Sequence, residues 1–224
     1  MLILTTKSFD LEKLTLSNPE KYNDVMYCEL SNDDSPLYVQ TPKLNFRESS
    51  DGIRMFFKNE KNTDSVDTFY GIVRDIEESI CEKLSEKSGD WFSTEINLDD
   101  IRDSLFNTAI KLPKRVSDPL SMIVDVPVLP NGEKDIEIFD SSKTSRCYSD
   151  LFSKYVTEST FLLQAKDLKI TSNQATISWE VVQVLIHKKK KKIKGFGIRI
   201  EDEECTEKLK IGVIEQVADI QEEP

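Results

Sequence analysis

The segment Ile177–Ile186, ISWEVVQVLI, constrains the fold most, because its apolar residues change sides part-way. Ile177, Trp179 and Val181 recur with the two-residue period of a strand and share one face, whereas Val182, Val184 and Ile186 share the other. A strand whose buried side switches near Val181 requires a β-bulge, or it passes from one packed layer to another as in a small closed barrel. The crowded apolar run TFLLQAK, Thr160–Lys166, points the same way.

The remaining elements fit around that strand. Leu37, Val39 and Thr41 alternate with Tyr38 and Gln40, and Pro42 marks an edge or a break. GIRMFFKN, Gly52–Asn59, follows the ESSDG turn as a second strand. Between Ser65 and Ser88 the period lengthens. Phe69, Ile72, Val73, Ile76, Ile80 and Leu84 are three and four apart, so a helix is predicted that Asp64 or Ser65 caps and Gly89 ends. Trp91 and Phe92 then close the end of the core, and a shorter helix starting at Asn97 puts Leu98, Ile101 and Leu105 on one side. From Leu120 to Val128 every second residue is apolar. PNGE, Pro130–Glu133, turns that strand back into IEIFD, Ile136–Asp140, while TSNQ, Thr171–Gln174, joins the two strands at the C-terminal end, so two hairpins are expected. GFGIRI, Gly195–Ile200, is a further strand. The sum is a β-rich α+β chain, mainly antiparallel, forming a barrel or sandwich with one long and one short packed helix. Residues 1–35 show no clear period and are expected to be a leader; 36–204 form a single domain and 205–224 an acidic C-terminal segment.

Charge is the second constraint. The net charge is −11, yet Lys188, Lys189, Lys190, Lys191 and Lys192 are consecutive, and Lys194 and Arg199 follow without an intervening acid. The Glu201–Pro224 segment, with nine acids against two lysines, cancels those seven cations, so Met1–Leu185 carries the whole net charge. Any site for a polyanion is therefore local. Five ammonium groups on a strand connection suit a phosphate backbone, a lysine-protected hairpin tip that discourages edge pairing, or a nuclear-import signal. Bases of a single strand also need rings to stack on. Among the aromatic residues, Tyr38 and Phe196 stand opposite polar or glycine positions and are the candidates for exposure; Trp179 and Phe56 or Phe57 read as core.

Little else points to chemistry. His187 is the sole histidine, with no serine or cysteine beside it in sequence, and reads as a strand-end residue. No phosphate-binding GxxxxGK[ST] loop occurs, and Gly195–Gly197 lacks the third glycine of a dinucleotide fingerprint. Asp33–Asp34 and Asp99–Asp100 are ordinary for turns and first helical turns, so no metal and no cofactor is expected. The four cysteines are dispersed, fit no zinc frame and are expected to be reduced thiols of an intracellular chain.

The order of elements, with DTFYGIVRDIEESICEKL, IEIFDSS, TFLLQAKDLKI and ISWEVVQVLIH ahead of an acidic segment, resembles the OB-fold single-stranded DNA-binding proteins of tailed phages and large nucleocytoplasmic DNA viruses. PLYVQTPKL and ISWEVVQV are similar to segments of uncharacterised proteins from those viruses. The resemblance covers about Pro36 to Glu204. It implies an OB-like barrel whose face binds single-stranded DNA, and an acidic tail that competes for that face or recruits replication proteins. Here the tail departs from a pure acidic tract, since Ile211, Ile214 and Val217 are spaced to dock as a short helix. The leading expectation is a non-enzymatic single-stranded DNA-binding protein of a large DNA virus. It would use Lys188 to Lys192, Lys194, Phe196, Arg199 and Tyr38, and act in the host cytoplasm or nucleus. The alternative is a minor structural or scaffold protein of the virion, whose lysines meet acidic capsid subunits; a nuclease or transferase has no acid–base constellation to support it.

Overall fold

In a computed structural model of the chain, residues 3–4, 11–58, 63–153, 156 and 158–187 are described. The strands are β1 (Ile3–Leu4), β2 (Leu14–Leu16), β3 (Glu20–Tyr22), β4 (Val25–Asn32), β5 (Ser35–Gln40), β6 (Leu44–Ser49), β7 (Gly52–Phe56), β8 (Ile110–Lys111), β9 (Ser121–Val124), β10 (Glu137–Asp140), β11 (Glu158–Ile170) and β12 (Ala175–Ile186). The helices are α1 (Thr63–Phe92), α2 (Leu98–Asp100), which a π turn at Ile101–Leu105 continues, and α3 (Tyr148–Leu151). By contacts the chain divides into Met1–Lys189 and Lys190–Pro224, and the second unit lies outside the described residues.

The switch of faces in β12 is a β-bulge. Leu162 of β11 pairs with Gln183 and Leu163 with Val181, so Val182 is the extra residue; a second irregularity on β11 leaves Lys166 between the pairs Ala165–Trp179 and Asp167–Ser178. Both strands therefore re-aim their apolar residues inward, with Ile177, Trp179 and Val181 buried before the bulge and Val184 and Ile186 after it. The purpose of the bend is closure. β6 pairs with β11 and with β7, and β7 pairs with β9, all antiparallel. Asp125, just past β9, bridges Glu180 of β12 in parallel, its N–H donating to Trp179 O at 2.8 Å and its carbonyl accepting from Val181 N at 2.9 Å. The circuit β6–β7–β9–β12–β11–β6 is a five-stranded OB-like barrel, held at the β9–β12 seam by one residue and so partly open. The fold is a β-rich α+β, as the periodicities predict.

Two particulars differ from the hairpins expected. The PNGE turn forms, with Gly132 at φ 85° and Val128 opposite Lys134, but β10 does not return along β9: it pairs in parallel with β12. The reason is that β7 takes one edge of β9, while on the other β8 pairs with Ser121 and Met122 and β12 pairs with Asp125 just beyond the strand. The segment read as a leader also contributes: β2 and β3 pair with β4, β4 pairs with β5 and β11, and Leu14, Leu16, Cys28 and Leu30 are buried in the common core. The boundary expected at 204 and the strand expected at Gly195–Ile200 lie outside the described residues.

The long helix begins two residues earlier than its spacing predicts and runs past Gly89. Val66, Phe69, Val73, Ile76, Ile80 and Leu84 form its buried stripe, and Phe57 stacks on Phe69 with ring centroids 5.6 Å apart. Trp91 and Phe92 extend the stripe by another turn, so the helix stops at Ser93, whose φ of 56° makes the left-handed turn expected of Gly89. The Ser88 hydroxyl accepts the Ile96 N–H at 2.9 Å and ties down the chain that follows. The shorter helix expected from Asn97 starts at Leu98 with Asn97 as its cap, accepting the Asp100 N–H at 2.8 Å. Cys28, Cys81 and Cys147 are free thiols; burial pushes Cys28 up to about 11 and Cys81 up to about 12, which keeps both neutral packing residues. No helix among the described residues is long and apolar enough to cross a membrane.

Candidate functional site

Strand register builds the site. On the barrel wall β6–β7–β9, extended by β8, one face is the core: Leu44, Ile53, Met55, Met122 and Val124 are buried. The residues between them point the other way, because side chains alternate along a strand. Directly opposed residues share a face, so the pairings read off as two rows across the sheet. The first is Arg47, Arg54, Ile123; the second is Asn45, Phe56, Ser121, Lys111. The diagonal contacts confirm that the rows are neighbours. The Arg47 guanidinium lies over the Phe56 ring at 5.3 Å, and Arg54 donates from Nη1 to Ser121 Oγ at 3.2 Å.

Electrostatically this wall is unlike the rest of the chain. Neither row contains a carboxylate, and Arg47, Arg54 and Lys111 form no ion pair among the described residues. Arg47 and Lys111 are exposed and Arg54 is half-buried, which places three cations around one accessible ring. Burial lowers the Lys111 pKa while the Glu77 carboxylate raises it; Lys111 donates to Asn107 Oδ1 at 2.6 Å and to Thr108 O. Glu77 is itself buried. Burial raises its pKa, against the Ala109 N–H that donates to its Oε1 at 2.6 Å and the Arg74 and Lys111 charges. The same wall ends in acid: Asp125 follows Ile123 by two residues, and burial followed by Glu180, Asp167 and Asp51 raises its pKa, with Lys169 opposing.

Of the residues expected from the sequence to bind nucleic acid, Tyr38 alone is described. It stands half-buried on β5, opposite Gln164 of β11 and on the other side of the strand from buried Leu37 and Val39, and it belongs to neither row. Lys188 to Lys192, Lys194, Phe196 and Arg199 lie outside the described residues. His187 follows β12 directly, its Nε2 2.9 Å from Thr160 Oγ1; burial, then Lys43, lowers its pKa. Asp33 and Asp34, both at positive φ, form the tight turn between β4 and β5, and Asp99 and Asp100 lie in the first turn of α2. No cluster of metal-ligating side chains occurs among the described residues. Arg47, Arg54, Phe56 and Lys111 are the residues that sequence reasoning did not select. The signal for two of them was present: in GIRMFF, buried Ile53 and Met55 imply outward Arg54 and Phe56.

No family model matches the chain, and no curated protein matches it. Among solved structures it is similar to the single-stranded DNA-binding protein of bacteriophage Enc34 in complex with single-stranded DNA, at 11% identity and a TM-score of 0.38, covering 81% of this chain and 98% of that one. A C-terminal truncation of the same phage protein gives 10% identity and a TM-score of 0.36, covering 81% and 99%. A further structure of the phage protein gives 9% and 0.35, covering 84% and 98%. At these values the likeness assigns no function to the chain, and the site stands on the geometry above.

Proposed function

We propose that this chain is a non-enzymatic single-stranded DNA-binding protein of a large DNA virus, and that the outward wall of β6, β7, β8 and β9 is its binding face. The observation that carries the reading is the pair of carboxylate-free rows, in which Arg47, Arg54 and Lys111 surround Phe56. Guanidinium and ammonium groups hold phosphates, while a half-exposed ring offers a base a surface to stack on, a combination that tolerates any sequence. In OB barrels the wall formed by the second and third strands, here β7 and β9, is the surface suited to oligonucleotides. Lys188 to Lys192, Lys194, Phe196, Arg199 and Tyr38 add phosphate and base contacts to the same strand, and the acidic segment 205–224 engages replication proteins. The viral origin rests on the phrases at Pro36–Leu44 and Ile177–Val184.

The test is a salt titration of binding to a homopyrimidine oligonucleotide by the full chain. The Arg47→Ala, Arg54→Ala, Lys111→Ala variant should lose affinity and flatten the log–log salt slope by about 2, at roughly 0.7 per phosphate contact on single strands. Alanines at Lys188 to Lys192 should flatten it further. A folded triple variant with the wild-type affinity and slope overturns this face as the site.

A further inference from the structure

The barrel's single-residue seam leaves a gap. Ser121 and Met122 pair with β8 and Asp125 pairs with β12, but between them, at Ile123 and Val124, no strand is registered on that edge of β9 among the described residues. The chain just before β8 spans the opening: Asn107 donates its N–H to Ala175 O at 2.8 Å and accepts from Thr176 Oγ1 on its own carbonyl at 3.3 Å. What remains is a cavity of about 150 Å³ walled by Asn107, Ala109, Lys111, Ile123, Thr176 and Trp179 among others.

We infer that this cavity receives one unstacked pyrimidine base of the bound strand, an inference that rests on the single-strand reading above. Position is the first argument. Ile123 ends the row Arg47, Arg54, Ile123 and Lys111 ends the other row, so a backbone held by those cations passes the mouth of the cavity. Size is the second. The cavity is several times the roughly 30 Å³ that a water occupies in the liquid and well below the roughly 300–1,000 Å³ of pockets for drug-sized ligands. A single six-membered ring is the part of a nucleotide that suits it, and the fused rings of a purine do not. Chemistry is the third. Ala109, Ile123 and Trp179 supply apolar wall for the faces of a ring, and Asn107, Thr176 and Lys111 supply polar groups for its edge. Trp179 lines the cavity while only 2% exposed, so its emission reports on what fills that space.

The experiment compares homothymidine and homoadenosine oligonucleotides of equal length at one salt concentration, using the full chain carrying Trp91→Phe so that Trp179 alone fluoresces. The expected result is about tenfold tighter binding of the pyrimidine strand, within the range for one stacked base, with a change in Trp179 emission that the purine strand does not produce. Ala109→Leu fills the cavity and should abolish both the preference and the emission change while keeping the salt slope. Ile123→Ala enlarges it and should shift the preference toward the purine strand, which keeps the test decisive if the leucine variant does not fold. Equal binding of both strands without an emission change overturns the cavity's role and leaves the binding face standing. Failure of both strands to bind overturns the face and the cavity together.

Discussion

Gly52→Ala tests whether the wall carrying the two rows is held as described. Gly52 has φ 135°, and a Cβ added there would lie 2.1 Å from the Val124 carbonyl oxygen, 3.0 Å from its carbon and 3.3 Å from Asp125 Cα. All three are backbone atoms of β9 or its continuation, so no side chain can swing aside. The backbone conformation alone costs about 1–3 kcal/mol for a residue with a side chain. Making room also separates β7 from β9 where Ile53 pairs with Val124, giving up one or two ladder hydrogen bonds of about 0.5–1.5 kcal/mol each. A total of about 1.5–6 kcal/mol follows from those ranges. Gly132→Ala is the control: its φ is 85°, but nothing lies within 4 Å of the added Cβ, so only the conformational part applies. Urea titrations of the two variants read the difference directly, provided their m-values match that of the wild type. In this size range each kcal/mol moves the melting point by about 2–4 °C, so the Gly52 variant should melt clearly below the Gly132 variant. Equal losses in the two variants refute the close approach of the turn to β9.

The pH dependence of stability should carry the signature of Glu77. Its folded pKa is raised by burial, so the folded state resists its ionisation, and stability falls as pH rises from the ordinary carboxylate range through the folded pKa. Glu77→Gln keeps an acceptor for the Ala109 N–H and should lose that fall in denaturation curves from pH 4 to 8, whereas Glu77→Ala strands the N–H and should cost about 1–3 kcal/mol at any pH. Asp125→Asn removes a negative charge from the end of the cationic wall and should tighten oligonucleotide binding at pH 7, most at low salt. Because burial and neighbouring acids raise the Asp125 pKa, wild-type affinity should climb toward that of the variant as pH falls toward the carboxylate range; parallel pH profiles would count against Asp125 bordering the site.

The barrel was legible where local pattern and global closure ask for the same thing. The change of sides at Val181 foretold the bulge at Val182, and Pro42 foretold the break between β5 and β6, where Thr41 donates its N–H to Phe161 O and takes the Phe161 N–H on its hydroxyl. Helix α1 was legible from its stripe. Its end was not, because Trp91 and Phe92 give the last turn apolar contacts that outweigh the stop signal at Gly89. Residues 11–35 were misread for a related reason: Leu14, Leu16, Cys28 and Leu30 fall in three- to eight-residue strands, too short for alternation to stand out, and acquire their buried side from β11 and α1 rather than from their own sequence.

The site was harder to see than the fold, since adjacency in sequence and adjacency in space reward different searches. Five consecutive lysines announce themselves in a chain of net charge −11, whereas Arg47, Arg54 and Lys111 are separated by 7 and 57 residues and each is flanked by unremarkable neighbours. Cross-strand pairing brings them together, and it does so with Phe56 turned outward and Phe57 turned onto Phe69, a choice that two consecutive phenylalanines do not reveal. The same pairing explains how an acidic protein can present a cationic wall. Two acids lie between the two bases of RESSDGIR, Arg47–Arg54, but Glu48 pairs with Ile53 on the opposite face from Arg47 and Arg54, and Asp51 sits in the turn. Sorting by the two-residue period therefore separates charges that a sliding average cancels, and the field that a polyanion would meet at close range is set by the face, not by the sum.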